Sequence, residues 1–258
     1  MENTAYFDNF GRCIPNGLKA DHHLNTRRYF LLEQPEINYK AIYARLVKHL
    51  KIESAISLQE FTHRAESILD HLRADENCKN ILNGVHVPFM LRKKSIVEMG
   101  LELEQHYIYA VKNAFEESYP TKTFTNHHKE GLEGKLKIAE GSRHQQLVEA
   151  MQKEIVVGYY FPCLMEYSVP ATLEQVAKLP EQFLLAGGCD TAAAFVGSPD
   201  LLLRNDGYPP VIWFAGLDAE KQGVGYHFEA YGYNLTFNRK PHFDKVAESW
   251  TSGLVVLG

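Results

Sequence analysis

The hydrophobic residues of this chain follow two different periods, and the change between them constrains the fold more than any other feature. In residues 1–154 they recur at helical spacing, whereas residues 155–258 contain short apolar runs of strand length. Helices grouped first and strands grouped after them, without regular alternation, predict an α+β protein. We therefore expect a mainly helical N-terminal part packed on a largely antiparallel C-terminal sheet. These two parts could also form one continuous domain.

Capping signatures mark the predicted helices of the first part. Ser57 and Glu60 form a capping box before an apolar stripe, which predicts a helix over 58–73. Ser95 and Glu98 repeat this signature farther along the chain. The other segments with helical spacing are 39–50, 96–118 and 147–155.

The second part reads mainly as strands. Segments of strand length and composition occur at 157–161, 164–169, 183–186, 192–196, 201–204, 211–215 and 224–237. A capping box at Thr172 and Gln175 predicts one short helix over 172–179. The turn sequence 205–207 predicts a hairpin that joins 201–204 to 211–215, and residues 120–142 read as a long loop.

Composition and net charge argue against some classes of binding partner for this chain. The 258 residues include 27 Lys and Arg against 32 Asp and Glu, so the formal net charge is -5. This balance lacks the basic excess of a nucleic-acid-binding surface, and we expect no nucleic-acid partner. No apolar run approaches the ~20 residues that span a bilayer, so we expect no membrane segment. The sequence leaves open a small-molecule ligand, a protein partner or self-association.

The cysteines and the first residues bear on the compartment. The four cysteines, Cys13, Cys78, Cys163 and Cys189, are far apart and contain no Cys-x-x-Cys pair, so we expect free thiols. Residues 1–10 have no apolar run of the length found in signal peptides. The second feature predicts that the protein stays in the cytoplasm.

The segment 224–237 holds the main candidates for a functional site. Read as one strand, its two-residue period places His227, Glu229, Tyr231 and Tyr233 on one face, together with Leu235 and Phe237. Such a face suits the wall of a small-molecule pocket, in which His227 acts as acid or base, Glu229 orients it, and the two tyrosines contact the ligand. The alternative is a half-exposed strand face whose polar residues meet water.

A metal site near these residues is possible in one strand register only. If the chain paired about a centre near residue 235.5, His227 would face Asp244 and Glu229 would face His242, which is a ligand set for a divalent metal. The turn sequence 238–241 places the reversal later and offsets these pairs. We therefore predict no metal and no cofactor.

The predicted helix 96–118 also carries residue types that can bind metal ions. Glu98, Glu102 and His106 form a row on the side away from the apolar face, so an inward-facing metal site is not expected there. Glu104 falls on the apolar side, where a carboxylate needs a partner. A tyrosine or backbone group in an ordinary core is the expected partner.

Cys189 is the candidate nucleophile. It follows a strand-like segment through Gly187 and Gly188, and a helix starting there would stabilise its thiolate. The alternative is a buried structural cysteine beside a strand over 191–196.

The sequence favours a small-molecule enzyme slightly over a non-catalytic binding protein. The enzyme would have its pocket between the C-terminal sheet and the N-terminal helices, with His227, Glu229 and Cys189 as catalytic candidates. The alternative is a protein-interaction or ligand-binding protein that uses the same tyrosine-rich face. The chain contains no phosphate-binding P-loop, no dinucleotide-binding glycine pattern and no Gly-x-Ser-x-Gly sequence.

Overall fold

Helices dominate the first part of the chain, as predicted. The computed structural model describes residues 5–24, 29–53, 56–204, 207–231, 234–241 and 244–258. The helices in these ranges are α1 (Tyr39–Leu50), α2 (Leu58–Ala74), α3 (Met99–Glu102), α4 (Tyr109–Ser118), α5 (His144–Lys153), α6 (Val169–Val176) and α7 (Gly188–Gly197). A 3-10 helix covers Lys79–Asn83, and a π-helical segment, Leu103–Ile108, links α3 to α4. No helix in the described ranges combines the length and the hydropathy needed to cross a lipid bilayer.

Strands dominate the second part. They are β1 (Val87–Leu91), β2 (Phe124–Asn126), β3 (Leu136–Ile138), β4 (Val156–Met165), β5 (Leu184–Leu185), β6 (Val211–Trp213), β7 (Leu217–Ala219), β8 (Val224–Tyr231), β9 (Asn234–Pro241) and β10 (Trp250–Leu257). The main sheet has the order β1-β4-β10-β6-β8-β9-β2, and β5 also pairs with β10. The β10–β6 and β2–β9 pairs are parallel and the other pairs antiparallel, so the predicted α+β class is confirmed.

Of the three predicted capping boxes, only the one at Ser57 lies at the start of its helix, and its hydrogen bond forms. Ser57 Oγ accepts a hydrogen bond from the backbone N–H of Glu60 at 3.1 Å, and α2 begins at the next residue after Ser57. Such a cap stabilises a helix by about 1 kcal/mol. The apolar stripe of α2, which includes Phe61, Ile68 and Leu72, is buried, as its period predicted.

The expected strand at 192–196 is wrong, because these residues belong to α7. Every residue of α7 is buried, and the helix lies against α1, α4 and β1. A helix that is buried on all sides has no polar face, so its sequence carries no helical period. Its run of small apolar residues therefore resembles a buried strand.

The predicted strand 224–237 is also wrong, because the chain reverses within it. Strands β8 and β9 pair in antiparallel fashion, with Tyr231 opposite Asn234. The predicted hairpin between 201–204 and 211–215 does not form, since 201–204 is turn and irregular backbone; Asn205 and Asp206 lie outside the described residues.

Smaller differences occur at four other predicted segments. The strands predicted at 157–161 and 164–169 are joined in one strand, β4, which already ends at Met165, and the loop predicted at 120–142 contains β2 and β3. Helix α6 begins at Val169, earlier than predicted, because Ser168 caps it by accepting a hydrogen bond from the Ala171 N–H at 3.3 Å.

Candidate functional site

His227, Glu229 and Lys240 form a chain of polar side chains on the β8–β9 hairpin. His227 Nε2 lies 3.4 Å from a carboxylate oxygen of Glu229, and Lys240 Nζ lies 2.9 and 2.8 Å from the two oxygens of that carboxylate. The imidazole is fully buried and its ring centroid lies 4.9 Å from that of Trp213. The predicted association of His227 with Glu229 is therefore present, with Lys240 as an additional partner.

The charges of this group follow from its hydrogen bonds and burial. Burial lowers the pKa of His227, and the hydrogen bond to Glu229 opposes that shift, so the imidazole is neutral at pH 7. A carboxylate only accepts, so Nε2 carries the proton; Nδ1 is buried and has no hydrogen-bond partner among the described residues. The hydrogen bond from His227, together with Lys240, lowers the pKa of Glu229 to about 2.

The remaining residues predicted for this face are not assembled around His227. Tyr231 shares its face but is 79% exposed, and Tyr233 lies outside the described residues. Leu235 and Phe237 lie on the opposite face, because the reversal after Tyr231 shifts their positions relative to a continuous strand.

The register that would have built a metal site is not the observed one. His227 lies opposite Asn238 rather than Asp244, and Glu229 lies opposite Thr236. His242 lies outside the described residues. Within the described ranges, no cluster of three or more His, Cys, Asp or Glu side chains could hold a metal ion.

Cys189 occupies the predicted type of location but is buried. It is the second residue of α7 and follows β5 through Gly187 and Gly188. Its Sγ lies 4.0 Å from Sδ of Met99, and burial, with the nearby Asp190, raises its pKa well above the usual value. The protonated thiol is out of contact with solvent, so we do not carry Cys189 forward as a nucleophile.

The two acidic residues of the α3–π segment have definite partners. Glu104 accepts a hydrogen bond from the backbone N–H of Leu132 at 2.9 Å, which is the backbone partner expected for it. Glu102 was expected to face solvent, and this is wrong: it is buried because Arg92, from the segment after β1, covers it and donates to it at 2.6 Å.

A cavity that sequence reasoning missed lies between the N-terminal segment and the sheet. Its volume is about 320 Å³, at the lower end of the usual range for ligand sites. Most of the residues around it are apolar. They are Phe10, Gly11, Arg12, Leu31, Leu32, Gln34, Leu82, Asn83, Gly84, Val85, His86, Pro162, Cys163 and Met165. We call it the His86 cavity.

His86 lines this cavity and has one ring nitrogen free to accept a hydrogen bond. Its Nδ1 lies 2.9 Å from the carbonyl oxygen of Gly84, so Nδ1 carries the proton and Nε2 has the free lone pair. The ring lies against Tyr159 and Phe161, with centroids 5.8 and 6.1 Å away. Burial lowers the pKa of His86, which keeps the ring neutral at pH 7.

Directional hydrogen bonds hold the walls of the cavity. Gln34 bonds both backbone groups of His86: its Nε2 donates to the carbonyl at 3.0 Å and its Oε1 accepts from the N–H at 2.9 Å. Arg12 donates to the carbonyls of Met165 at 3.1 Å, Leu24 at 3.2 Å and His23. These contacts join the N-terminal segment to the sheet, so the cavity is formed without a ligand.

Comparisons with known proteins do not assign this chain to a group. No family model matches it, and neither the curated proteins nor the solved structures contain a match. The functional argument therefore rests on the geometry of its own residues.

Proposed function

We propose that this protein binds a small, largely apolar molecule in the His86 cavity. The observation that carries the proposal is the neutral, aromatic-flanked imidazole of His86 in the wall of a preformed apolar cavity. A ligand with one hydroxyl or N–H group would donate to Nε2 of His86 and bury its apolar part against the leucines. Sites of this kind combine apolar walls with few polar groups.

The residues around the cavity favour binding over catalysis. Its described lining contains no carboxylate that could pair with His86 as an acid or base. Arg12 already donates to backbone carbonyls, and burial raises the pKa of Cys163 well above the usual value. A single neutral imidazole can orient a ligand, whereas acid–base or nucleophilic chemistry needs a second positioned group.

A small-molecule enzyme is the second candidate, and the His227 environment supports it. The buried Nδ1 of His227 has no partner among the described residues, and its Nε2 faces the ionised Glu229. A ligand that donates a proton to Nδ1 would satisfy this acceptor and meet an imidazole able to accept a proton. Tyr231, exposed on the same strand face, would be a ligand contact.

We also propose that the protein works in the cytoplasm. All four cysteines are buried and unpaired. Free thiols are typical of a reducing compartment.

The main proposal is tested with matched aromatic probes. Indole has an N–H donor, and 1-methylindole has the same ring system without it. Saturation-transfer NMR should show both probes binding to the wild type, with indole binding more tightly. In His86→Phe the acceptor is lost while a ring is kept, so the preference for indole should disappear.

A cavity-filling variant locates the binding. Leu82→Trp places a large side chain in the cavity wall and should abolish binding of both probes, whereas Val97→Trp, at a residue that is 98% exposed, should not. Unchanged binding in Leu82→Trp, or no binding to the wild type, would rule out the His86 cavity as the ligand site. The same probes on His227→Gln test the second candidate.

A further inference from the structure

A second cavity lies where α1, the segment after β1 and the π-helical segment meet, and its lining is polar. Its volume is about 470 Å³ and it is open to solvent. The residues that line it are mostly charged. They are Lys51, Glu53, Arg92, Lys93, Lys94, His106 and Ile155. We call it the basic cleft.

Positive charge is in excess in the basic cleft, although the chain as a whole carries -5. Four permanent cations line it, and two carboxylates, Glu53 in the lining and the buried Glu102 behind it, oppose them. Within the described part of the chain, neither Lys51 nor Lys93 forms an ion pair with a carboxylate. Their ammonium groups are therefore available to an anion.

Glu102 positions the other cations. Its side chain is 7% exposed, and its carboxylate lies 2.6 Å from Arg92, 3.5 Å from Lys94 and 3.9 Å from Nε2 of His106. One buried carboxylate thus holds three basic groups on one wall. Arg92 uses one terminal nitrogen for this ion pair, which leaves further N–H donors of its guanidinium for a ligand.

Two irregularities of the backbone occur at this cleft. Lys51 ends α1 with φ 51° and ψ 52°, a left-handed conformation that is unfavourable for an L-residue other than glycine. His106 lies in the π-helical segment, and such segments are rare and are found often at functional sites. Lysine at a position that favours glycine is accounted for if its ammonium group has a role.

We propose that the basic cleft binds the phosphate group of a small soluble phosphate ester. The clustered donors of Arg92, Lys94, Lys51 and Lys93 suit a compact dianion with several acceptor oxygens. A concave site of this volume, on a chain with a net negative charge, favours a small anion over a long polyanion such as nucleic acid.

The test uses inorganic phosphate and glycerol 3-phosphate at low ionic strength, where charge interactions are least screened. Calorimetry should show saturable binding to the wild type. Lys51→Gly removes the ammonium group and relieves the backbone, so weaker binding in this variant does not arise from lost folding. We expect Lys51→Gly and Lys93→Gln each to weaken binding about fivefold, and the exposed Lys112→Gln, outside the cleft, to leave it unchanged.

An NMR measurement at the cleft itself complements the measured affinities. The imidazole NMR signals of His106, assigned by their loss in His106→Gln, should shift as phosphate is added. Equal affinities in Lys51→Gly, Lys93→Gln and Lys112→Gln would overturn the proposal, as would His106 signals that do not move.

Lipid vesicles test whether the phosphate group belongs to a soluble ester or to a membrane lipid. Phosphatidylcholine vesicles with and without phosphatidic acid are compared with the soluble ester. Binding of the soluble ester alone supports the proposal as stated. Binding only to phosphatidic acid vesicles, lost in Lys51→Gly, would keep the phosphate chemistry but overturn the soluble source.

Discussion

The imidazole of His144 lies directly against the α-carbon of Gly187, so that a β-carbon at position 187 would overlap Nε2 of His144. Gly187 has φ −103°, which other residues adopt readily, so space rather than conformation requires glycine here. The His144 ring is held from its other side, where Nδ1 lies 3.1 Å from the carbonyl oxygen of Leu185. This contact joins α5 to the start of α7.

Gly187→Ala should therefore destabilise the protein by about 1–3 kcal/mol, the usual cost of overpacking a core. Urea unfolding followed by circular dichroism measures this free energy. In the background of His144→Ala the added methyl group meets no ring, so the same substitution should cost much less. An equal cost in both backgrounds would show that the His144 contact is not the cause.

Lys51→Gly should stabilise the protein although it deletes a side chain. Relief of the left-handed backbone at the end of α1 outweighs the greater freedom of glycine in the unfolded chain, for an expected gain of about 0.5–1 kcal/mol. Chemical unfolding measures the difference. Lys51→Ala is the control, because it removes the charge and keeps the strain; a gain in the alanine variant as large as in the glycine variant contradicts this explanation.

Lowering the pH should reduce the free energy of unfolding, because Glu229 becomes protonated. Its pKa is about 2 in the folded protein and lies near the ordinary value of 4.5 in the unfolded chain, so its stabilising contribution is complete above pH 4.5 and is lost as the pH falls towards 2. Because the side chain is 27% exposed, solvent screening reduces the effect to about 1 kcal/mol. Unfolding free energies between pH 5 and 2.5 should therefore fall less steeply in Glu229→Gln than in the wild type.

His227 should also lower the stability of the protein as the pH falls, but in a higher pH range than Glu229. Its pKa is lowered by folding, so the folded state binds the proton more weakly than the unfolded chain, and stability decreases as the pH falls below about 6.5. The substitution His227→Gln should flatten the dependence of stability on pH in this window. Identical profiles in the wild type and this variant would mean that His227 titrates normally.

The sequence predicts those helices that have one apolar and one polar face. Helix α2 was located because Ser57 caps it and because its buried residues recur at helical spacing. Helix α7 was missed for the opposite reason, since burial of every residue from Gly188 to Gly197 removes the polar face. The β8–β9 reversal was missed because alternating polar and apolar residues on both sides of it read as one strand, although the pairing of Tyr231 with Asn234 puts the two arms out of phase.

The parts of the candidate site that could be predicted are those formed by residues close together in the sequence. His227 and Glu229 are two residues apart on one strand, so their association followed from the strand period. The His86 cavity is built from segments as far apart as Phe10, His86 and Cys163, and the basic cleft similarly joins Lys51 to His106. Only tertiary structure brings such residues together, and no spacing in the sequence indicates it.

The position of β10 has a consequence for how the protein is made. This strand, Trp250–Leu257, lies between β4 and β6, so it supplies the middle of the main sheet. A ribosome adds about 5–20 residues per second, and β4 therefore leaves it on the order of ten seconds before its partner exists. During that interval one edge of β4 is unpaired in the nascent chain, which makes protection by a chaperone most valuable before β10 emerges.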